Sequence, residues 1–216
     1  MAMPENKTTR GKLIIFEGTD GCGKTTQTEL LRRRIAEHTG APCLIEREPD
    51  SRNIVGAIIR SALYGGVKIA PMSMAYLHVA DRLEHIEFML PLLERGTHIV
   101  CDRYYPSNMA YNSGDALSVE DIYELNRPCA MRLAPDAIVY LDVPPEVTRA
   151  RREADRASEE IYDADDKQRQ IRARFENALD HIAKMEGEAK IIRINAARPI
   201  DEVADEIWNR VSALLF

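Results

Sequence analysis

Closely spaced cysteines are absent from this sequence. Its four, Cys22, Cys43, Cys101 and Cys129, lack any C-x-x-C spacing. That argues against a disulfide framework and for free thiols in a reducing compartment. No 18 consecutive apolar residues occur, so no segment reads as a transmembrane helix. Residues 1–11, MAMPENKTTRG, lack the apolar stretch of a signal peptide and are expected to be flexible. Basic residues do not dominate either: 29 Lys and Arg stand against 35 Asp and Glu, a formal net charge of -6. Such a balance gives no general attraction to nucleic acid or anionic membrane, so any anion site must be local. Internal repeats, low-complexity tracts and long Pro/Gly/Ser linkers are missing as well. The expectation is a soluble, cytoplasmic protein folding as one domain over residues 1–216, with neither nucleic acid nor membrane as partner.

What is present is alternation. Five apolar, β-branched runs read as buried strands: Leu13 to Phe16, Cys43 to Ile45, His98 to Cys101, Ala137 to Leu141 and Ile191 to Ile194. Helical periodicity fills the gaps, most clearly over Pro71 to Glu94, with Pro71 at the first turn and Gly96 after the last. Strands alternating with helices imply an α/β fold, a five-stranded parallel sheet with helices on both faces and ligands at the carboxyl ends of its strands. One stretch departs from this pattern. Residues 149–174 are dominated by charge, with almost no apolar stripe before Ile171, and are expected to form a short mobile lid.

Directly after the first strand runs Gly18-Thr19-Asp20-Gly21-Cys22-Gly23-Lys24-Thr25, which satisfies G-x-x-x-x-G-K-[ST] and leads into a helix over Thr26 to His38. Glycines let backbone N–H groups converge on phosphate oxygens, and the helix N-terminus adds partial positive charge. Lys24 would reach the β- and γ-phosphates, and the Thr25 hydroxyl would ligate Mg²⁺. Cys22 reads as a small residue in a tight place rather than a reactive thiol. Arg32, Arg33 and Arg34 read as a solvated helix face. The fold implied is a three-layer P-loop NTPase fold.

A phosphate loop alone leaves switch GTPases, ATPases and kinases open, and no N-K-x-D guanine reader is found. Further segments resemble the thymidylate kinase family from about residue 12 to residue 199. They are the opening FEGTDGCGKTTQ, then Arg47-Glu48-Pro49, then Ala80-Asp81-Arg82 on the long helix, and then Asp102-Arg103-Tyr104-Tyr105-Pro106-Ser107-Asn108-Met109-Ala110-Tyr111 at the end of the third strand. The resemblance implies an ATP:dTMP phosphotransferase dependent on Mg²⁺, with ATP and dTMP as substrates and a homodimer built on helices flanking the long one.

It also implies roles that chemistry supports. Asp102 would join Thr25 at the metal. Arg103 would clamp the acceptor phosphate with its guanidinium fork, near Arg47. Asp20 would hold the sugar 3′-hydroxyl, Arg82 and Asn108 would read the thymine edge, and Tyr111 would crowd a 2′-hydroxyl. Where the family commonly places a phenylalanine that stacks on thymine, this chain has His78, a smaller and titratable ring. That departure keeps another pyrimidine nucleotide or nucleoside kinase open; a non-catalytic nucleotide-binding module is the more distant alternative.

Phosphoryl transfer needs in-line positioning and positive charge on the equatorial oxygens, where an arginine is worth roughly 10³ to 10⁵ in rate. With Gly21 and Cys22 at the variable loop positions, the resemblance assigns that charge to the lid, to Arg151 first, with Arg152 and Arg156 as partners. Around Ala197, the string Asn195-Ala196-Ala197-Arg198-Pro199 resembles the family's adenine-side loop.

Overall fold

Buried parallel strands must be apolar on both faces, and the five runs meet that requirement in the computed structural model, which describes residues 10–155 and 165–216. The strands are β1 (Leu13–Glu17), β2 (Cys43–Arg47), β3 (His98–Asp102), β4 (Ala137–Asp142) and β5 (Ile191–Asn195). They form one parallel sheet in the order β2-β3-β1-β4-β5. Connections run to one side of β1 for β2 and β3 and to the other for β4 and β5, so the order reverses at β1. The carboxyl end of such a switch strand opens into a crevice between diverging loops.

The helices are α1 (Lys24–Thr39), α2 (Ile54–Leu63), α3 (Pro71–Glu94), α4 (Tyr105–Asn112), α5 (Val119–Arg132), α6 (Pro145–Asp155), α7 (Asp165–Glu186) and α8 (Ile200–Val211). Successive residues of a strand point to opposite faces, and each face has its own core. Ile14, Phe16, Val100 and Val139 pack with Leu31 and Ile35 of α1 and Val203 and Ile207 of α8. Leu13, Ile15, Ile99 and Tyr140 pack with residues of α3, α4, α5 and α7. The three layers expected from the sequence are therefore present. α5 starts at a capping box, in which the Asp121 N–H donates to Ser118 Oγ at 3.0 Å and the Ser118 N–H to Asp121 Oδ2 at 2.9 Å.

Arg32 and Arg33 pair with Glu29 along the surface of α1, as a solvated face would. In the expected lid segment the charge-rich stretch gives way to core sooner than its composition suggests. Ile171 is buried, and Arg172 donates to both oxygens of Asp142 at 2.7 and 2.9 Å, tying α7 to the end of β4. Phe175, one turn on, lies between the rings of Tyr111 (5.9 Å between centroids) and Tyr140 (5.4 Å) and links α4 to the sheet. Phe175→Ala should lower the unfolding free energy by about 3–5 kcal/mol, read from urea denaturation, because a buried ring leaves a cavity its aromatic neighbours cannot close.

Candidate active site

The loop after β1 turns on glycine. At Gly18 φ is 143°, and an added Cβ would lie 2.8 Å from both the Cys22 Sγ and the Leu141 carbonyl oxygen; Gly21 and Gly23 also have left-handed φ. No other residue lets the backbone fold back so tightly. Lys24 is buried beneath the loop, its ammonium donating to the carbonyls of Gly18 (2.9 Å) and Thr19 (3.0 Å). Thr25 and Thr26 are exposed on the first turn of α1. Cys22 is buried, and burial pushes its thiol up despite nearby Lys24, which removes the reactive thiolate reading.

On the neighbouring strand end the backbone does something unusual. Arg103 has φ 74°, the left-handed region a non-glycine residue rarely adopts. It is held there because its N–H donates to the Phe16 carbonyl at 2.9 Å and the next N–H, of Tyr104, donates to Glu17 Oε1 at 2.8 Å. The twist points the Arg103 guanidinium at the phosphate loop, where it ion-pairs with Asp20, receives the Tyr111 ring at 4.9 Å and donates to Ser107 Oγ at 3.2 Å. Tyr111 in turn donates its hydroxyl to Asp20 at 2.8 Å. Asp20, Arg103 and Tyr111, 83 and 91 residues apart in sequence from the first, thus form one cluster.

Beside it, Asp102 Oδ2 accepts from Arg47 at 2.6 Å, and the same guanidinium nitrogen lies 3.3 Å from the Thr25 hydroxyl. Asp102 Oδ1 is buried and accepts no hydrogen bond from the described residues. Burial opposes the Asp102 charge, but Lys24, Arg103 and Arg47 outweigh it and hold the carboxyl below the usual carboxylate range. Thr25 and Asp102 are therefore brought together, with the Arg47 guanidinium bridging them.

Arg82 and Asn108, which the resemblance gave to the base, are embedded more deeply than a surface contact would require. Arg82 is 1% exposed; it ion-pairs with Glu48 at 2.6 Å, donates to Asn126 and lies 5.0 Å over the Tyr104 ring. Asn108 donates to the Ala75 carbonyl (3.1 Å) and accepts from Asn112 (2.9 Å). His78 is partly buried on the same helix, and burial, then the charges of Arg82 and Arg103, lowers its pKa to about 3. It is neutral in the physiological range, so its difference from phenylalanine is one of size and hydrogen bonding rather than charge.

Four residues of this region were given no role from the sequence: Glu17 and Glu48, quoted only inside motifs, and His85 and Asn126. Signals existed for three of them. Glu17 is a charge closing an otherwise apolar strand, and such a group needs buried donors. Glu48 alternates with Glu46 at the end of β2, while His85 follows Arg82 by three residues on one helix face. In the structure the two His85 nitrogens meet Glu46 (3.0 Å) and Glu48 (3.3 Å), and Arg52 covers Glu46 from outside. Asn126, bonded to Arg82 and 3.4 Å from Asn108, offers no local pattern at all.

From the other side, Arg151 of α6 reaches over the loop. Its guanidinium donates to the Cys22 carbonyl at 3.2 Å and to the Ala196 carbonyl at 3.0 Å, joining the phosphate loop to the segment after β5. Ala197 is exposed there, its N–H bonded to Asn195 Oδ1 at 3.1 Å. Arg152 lies along α6, and Arg156 falls outside the described residues.

A switch-point parallel sheet with this loop on its reversing strand defines the class as a P-loop nucleotide-binding fold. Comparison with known proteins gives the family. The sequence profile of the thymidylate kinase family matches residues 16–207. A thymidylate kinase of Thermomicrobium roseum is 37% identical over 206 residues, spanning 94% of this chain and 95% of that protein. Thymidylate kinases of a Synechococcus species and of Clavibacter michiganensis are each 35% identical, over 205 and 207 residues that cover 94% and 95% of this chain and 95% and 96% of those proteins. The chain belongs to the thymidylate kinase family, and its reaction is the phosphorylation of dTMP to dTDP.

The buried His85 yields a pH signature. Burial opposes its charge, but hydrogen bonds to Glu46 and Glu48 outweigh that and raise its pKa from 6.5 to about 9. A folded-state value above the unfolded one means the protonated ring favours folding; the contribution is whole below about pH 6.5 and disappears as pH climbs through about 9. Melting temperature followed from about pH 6 to about pH 10 should fall at the alkaline end. The fall should be shallower in His85→Gln; equal slopes would show that the imidazolium contributes nothing.

Proposed function

We propose that the chain transfers the γ-phosphate of ATP to dTMP with Mg²⁺, in one domain whose residues 149–174 serve as lid. The observation that carries this reading is that Lys24 and Arg103 both act on the Asp102 carboxylate at neighbouring strand ends, with Asp20 of the phosphate loop ion-paired to Arg103. Two anions can be held there head to head: the donor on the loop from Gly18 to Thr26, including Asp20, Gly21, Cys22 and Gly23, and the acceptor phosphate on Arg103 with Arg47 beside it. Fixing both partners in line removes most of the entropic barrier to reaction.

Each side chain then has a task. Lys24 exchanges its loop carbonyls for donor phosphate oxygens. Asp20 accepts from the sugar 3′-hydroxyl and Tyr111 closes the space a 2′-hydroxyl would need. Arg82 and Asn108, held rigid by Glu48 and Asn126, present fixed polar groups to the base edge, and the neutral His78 lies against the ring. Arg151 is already positioned by Cys22 and Ala196 near where charge develops, with Arg152 and Arg156 further along the lid and Ala197 on the adenine side. The donor set fits a hard divalent cation, since Asp102 Oδ1 is buried with no hydrogen bond from the described residues and the Thr25 hydroxyl lies across the Arg47 guanidinium that Asp102 binds. Held by Thr25 and Asp102, Mg²⁺ would neutralise charge on the donor phosphates.

The apolar residues exposed along one face of α3, Met72, Tyr76 and Leu83, support a homodimer formed through this helix and its neighbours. The buried free thiols support a reducing, cytoplasmic location.

ADP release measured with dTMP, dUMP, dCMP and thymidine should be fastest with dTMP, and faster turnover of thymidine or dCMP would reassign the acceptor. Lys24→Ala should abolish turnover. Arg151→Ala should lower kcat by roughly 100- to 1,000-fold with dTMP KM changed by less than about threefold; a variant at full speed would remove Arg151 from the mechanism. Tyr76→Glu should convert a dimer to monomer in sedimentation velocity, and an unchanged sedimentation coefficient would place the interface elsewhere.

A further inference from the structure

Glu17 takes no part in the steps above, yet it is fully buried one residue before the phosphate loop. A carboxylate withdrawn from water persists where donors satisfy it, and Glu17 has three. Oε1 accepts from the Tyr104 N–H at 2.8 Å and the Ser107 N–H at 3.2 Å, and Oε2 accepts from the Ser107 hydroxyl at 2.6 Å. All three donors belong to the first turn of α4, immediately after Arg103. Burial pushes the carboxyl up to about 7, with the Ser107 hydrogen bond and the Arg103 charge resisting that rise.

The Ser107 hydroxyl has a single proton, and the ionised carboxylate draws it to Oε2. Its lone pairs are then left for the Arg103 Nη1 at 3.2 Å. With Glu17 ionised, as it is above about pH 7, direction along this chain is set: carboxylate accepts from hydroxyl, hydroxyl accepts from guanidinium. The Tyr104 amide adds a second hold, because it belongs to the peptide that follows the left-handed Arg103 and pins that backbone twist. Through these two routes Glu17 governs both where the Arg103 backbone points and how its fork is turned.

We propose that Glu17 is a positioning residue for Arg103, setting through Ser107 and the Tyr104 amide the orientation in which the guanidinium meets the acceptor phosphate. This rests on the reading of Arg103 as the acceptor clamp. Glu17→Gln isolates the effect. Its carbonyl can still accept both backbone N–H groups and cap α4, but its amide donates to Ser107 Oγ, turns the hydroxyl proton towards Arg103 and sets donor against donor.

Steady-state kinetics and melting temperature should be measured for Glu17→Gln, Ser107→Ala, the double variant and Arg103→Lys. Glu17→Gln and Ser107→Ala should each raise dTMP KM roughly tenfold, the scale of one hydrogen bond to a charged group, with ATP KM within about twofold. The double variant should be no worse than Glu17→Gln alone, since both lesions break one chain. Unchanged dTMP KM in the Glu17 and Ser107 variants beside a raised value in Arg103→Lys would overturn the relay and leave the clamp standing. Parallel rises in both KM values with a fall in melting temperature would make Glu17 a helix cap only, and also overturn it. Unchanged dTMP KM in Arg103→Lys would refute the clamp and the relay together. If Glu17→Gln does not fold, Ser107→Ala, which keeps both backbone donors, decides alone.

Discussion

Parallel pairing of β1 with β3, with Phe16 opposite Asp102, is the constraint from which the site is built. One residue beyond that pair the strands part, one into the phosphate loop and the other into Arg103. A register slip of one residue would send Glu17 or Asp102 to the opposite face of the sheet and separate the carboxylates from the cations that neutralise them. The hydrogen bond from the Arg103 amide to the Phe16 carbonyl extends the pairing just past the strand end, where the backbone takes its left-handed turn. A strained residue at that point persists because the surrounding bonds over-determine it.

Beneath the base side lies a compact group of charges: Arg82 and His85 against Glu46 and Glu48, with Arg52 outside. Desolvation of such groups cancels much of their mutual attraction, and well-packed apolar residues would often serve stability as well. Geometry is the more telling product. A guanidinium held on one nitrogen by Glu48 and on another by Asn126, and underlain by Tyr104, cannot change rotamer without leaving a buried charge unpaired.

The fold was largely legible in the sequence. Each of the five strands appears where its β-branched run lies, longer by one or two residues at its carboxyl end: Glu17, Glu46, Arg47, Asp102, Asp142 and Asn195 are polar and so broke the hydrophobic pattern, yet they remain in the ladder. Those same strand-terminal polar residues supply much of the chemistry, which is why pattern and function diverge there. Within the site, contiguous motifs were readable, so Lys24, Asp102, Arg103 and Tyr111 could be named. Glu48 and His85 were not, because their meaning depends on β2 lying against α3; Asn126 joins Arg82 from α5, 44 residues away. Within residues 149–174 the apolar stripe was legible from Ile171, which is buried, whereas the anchoring of α7 by Arg172 on Asp142 had no local signal among so many charges.

The phosphate-loop lysine braces the loop from within. Its ammonium is tied to the carbonyls of Gly18 and Thr19, so the curvature of the loop and the burial of that charge are one arrangement. An anion that took the place of either carbonyl would turn a hydrogen bond to a neutral acceptor into one between opposite charges, and each such exchange would strengthen the hold of the lysine.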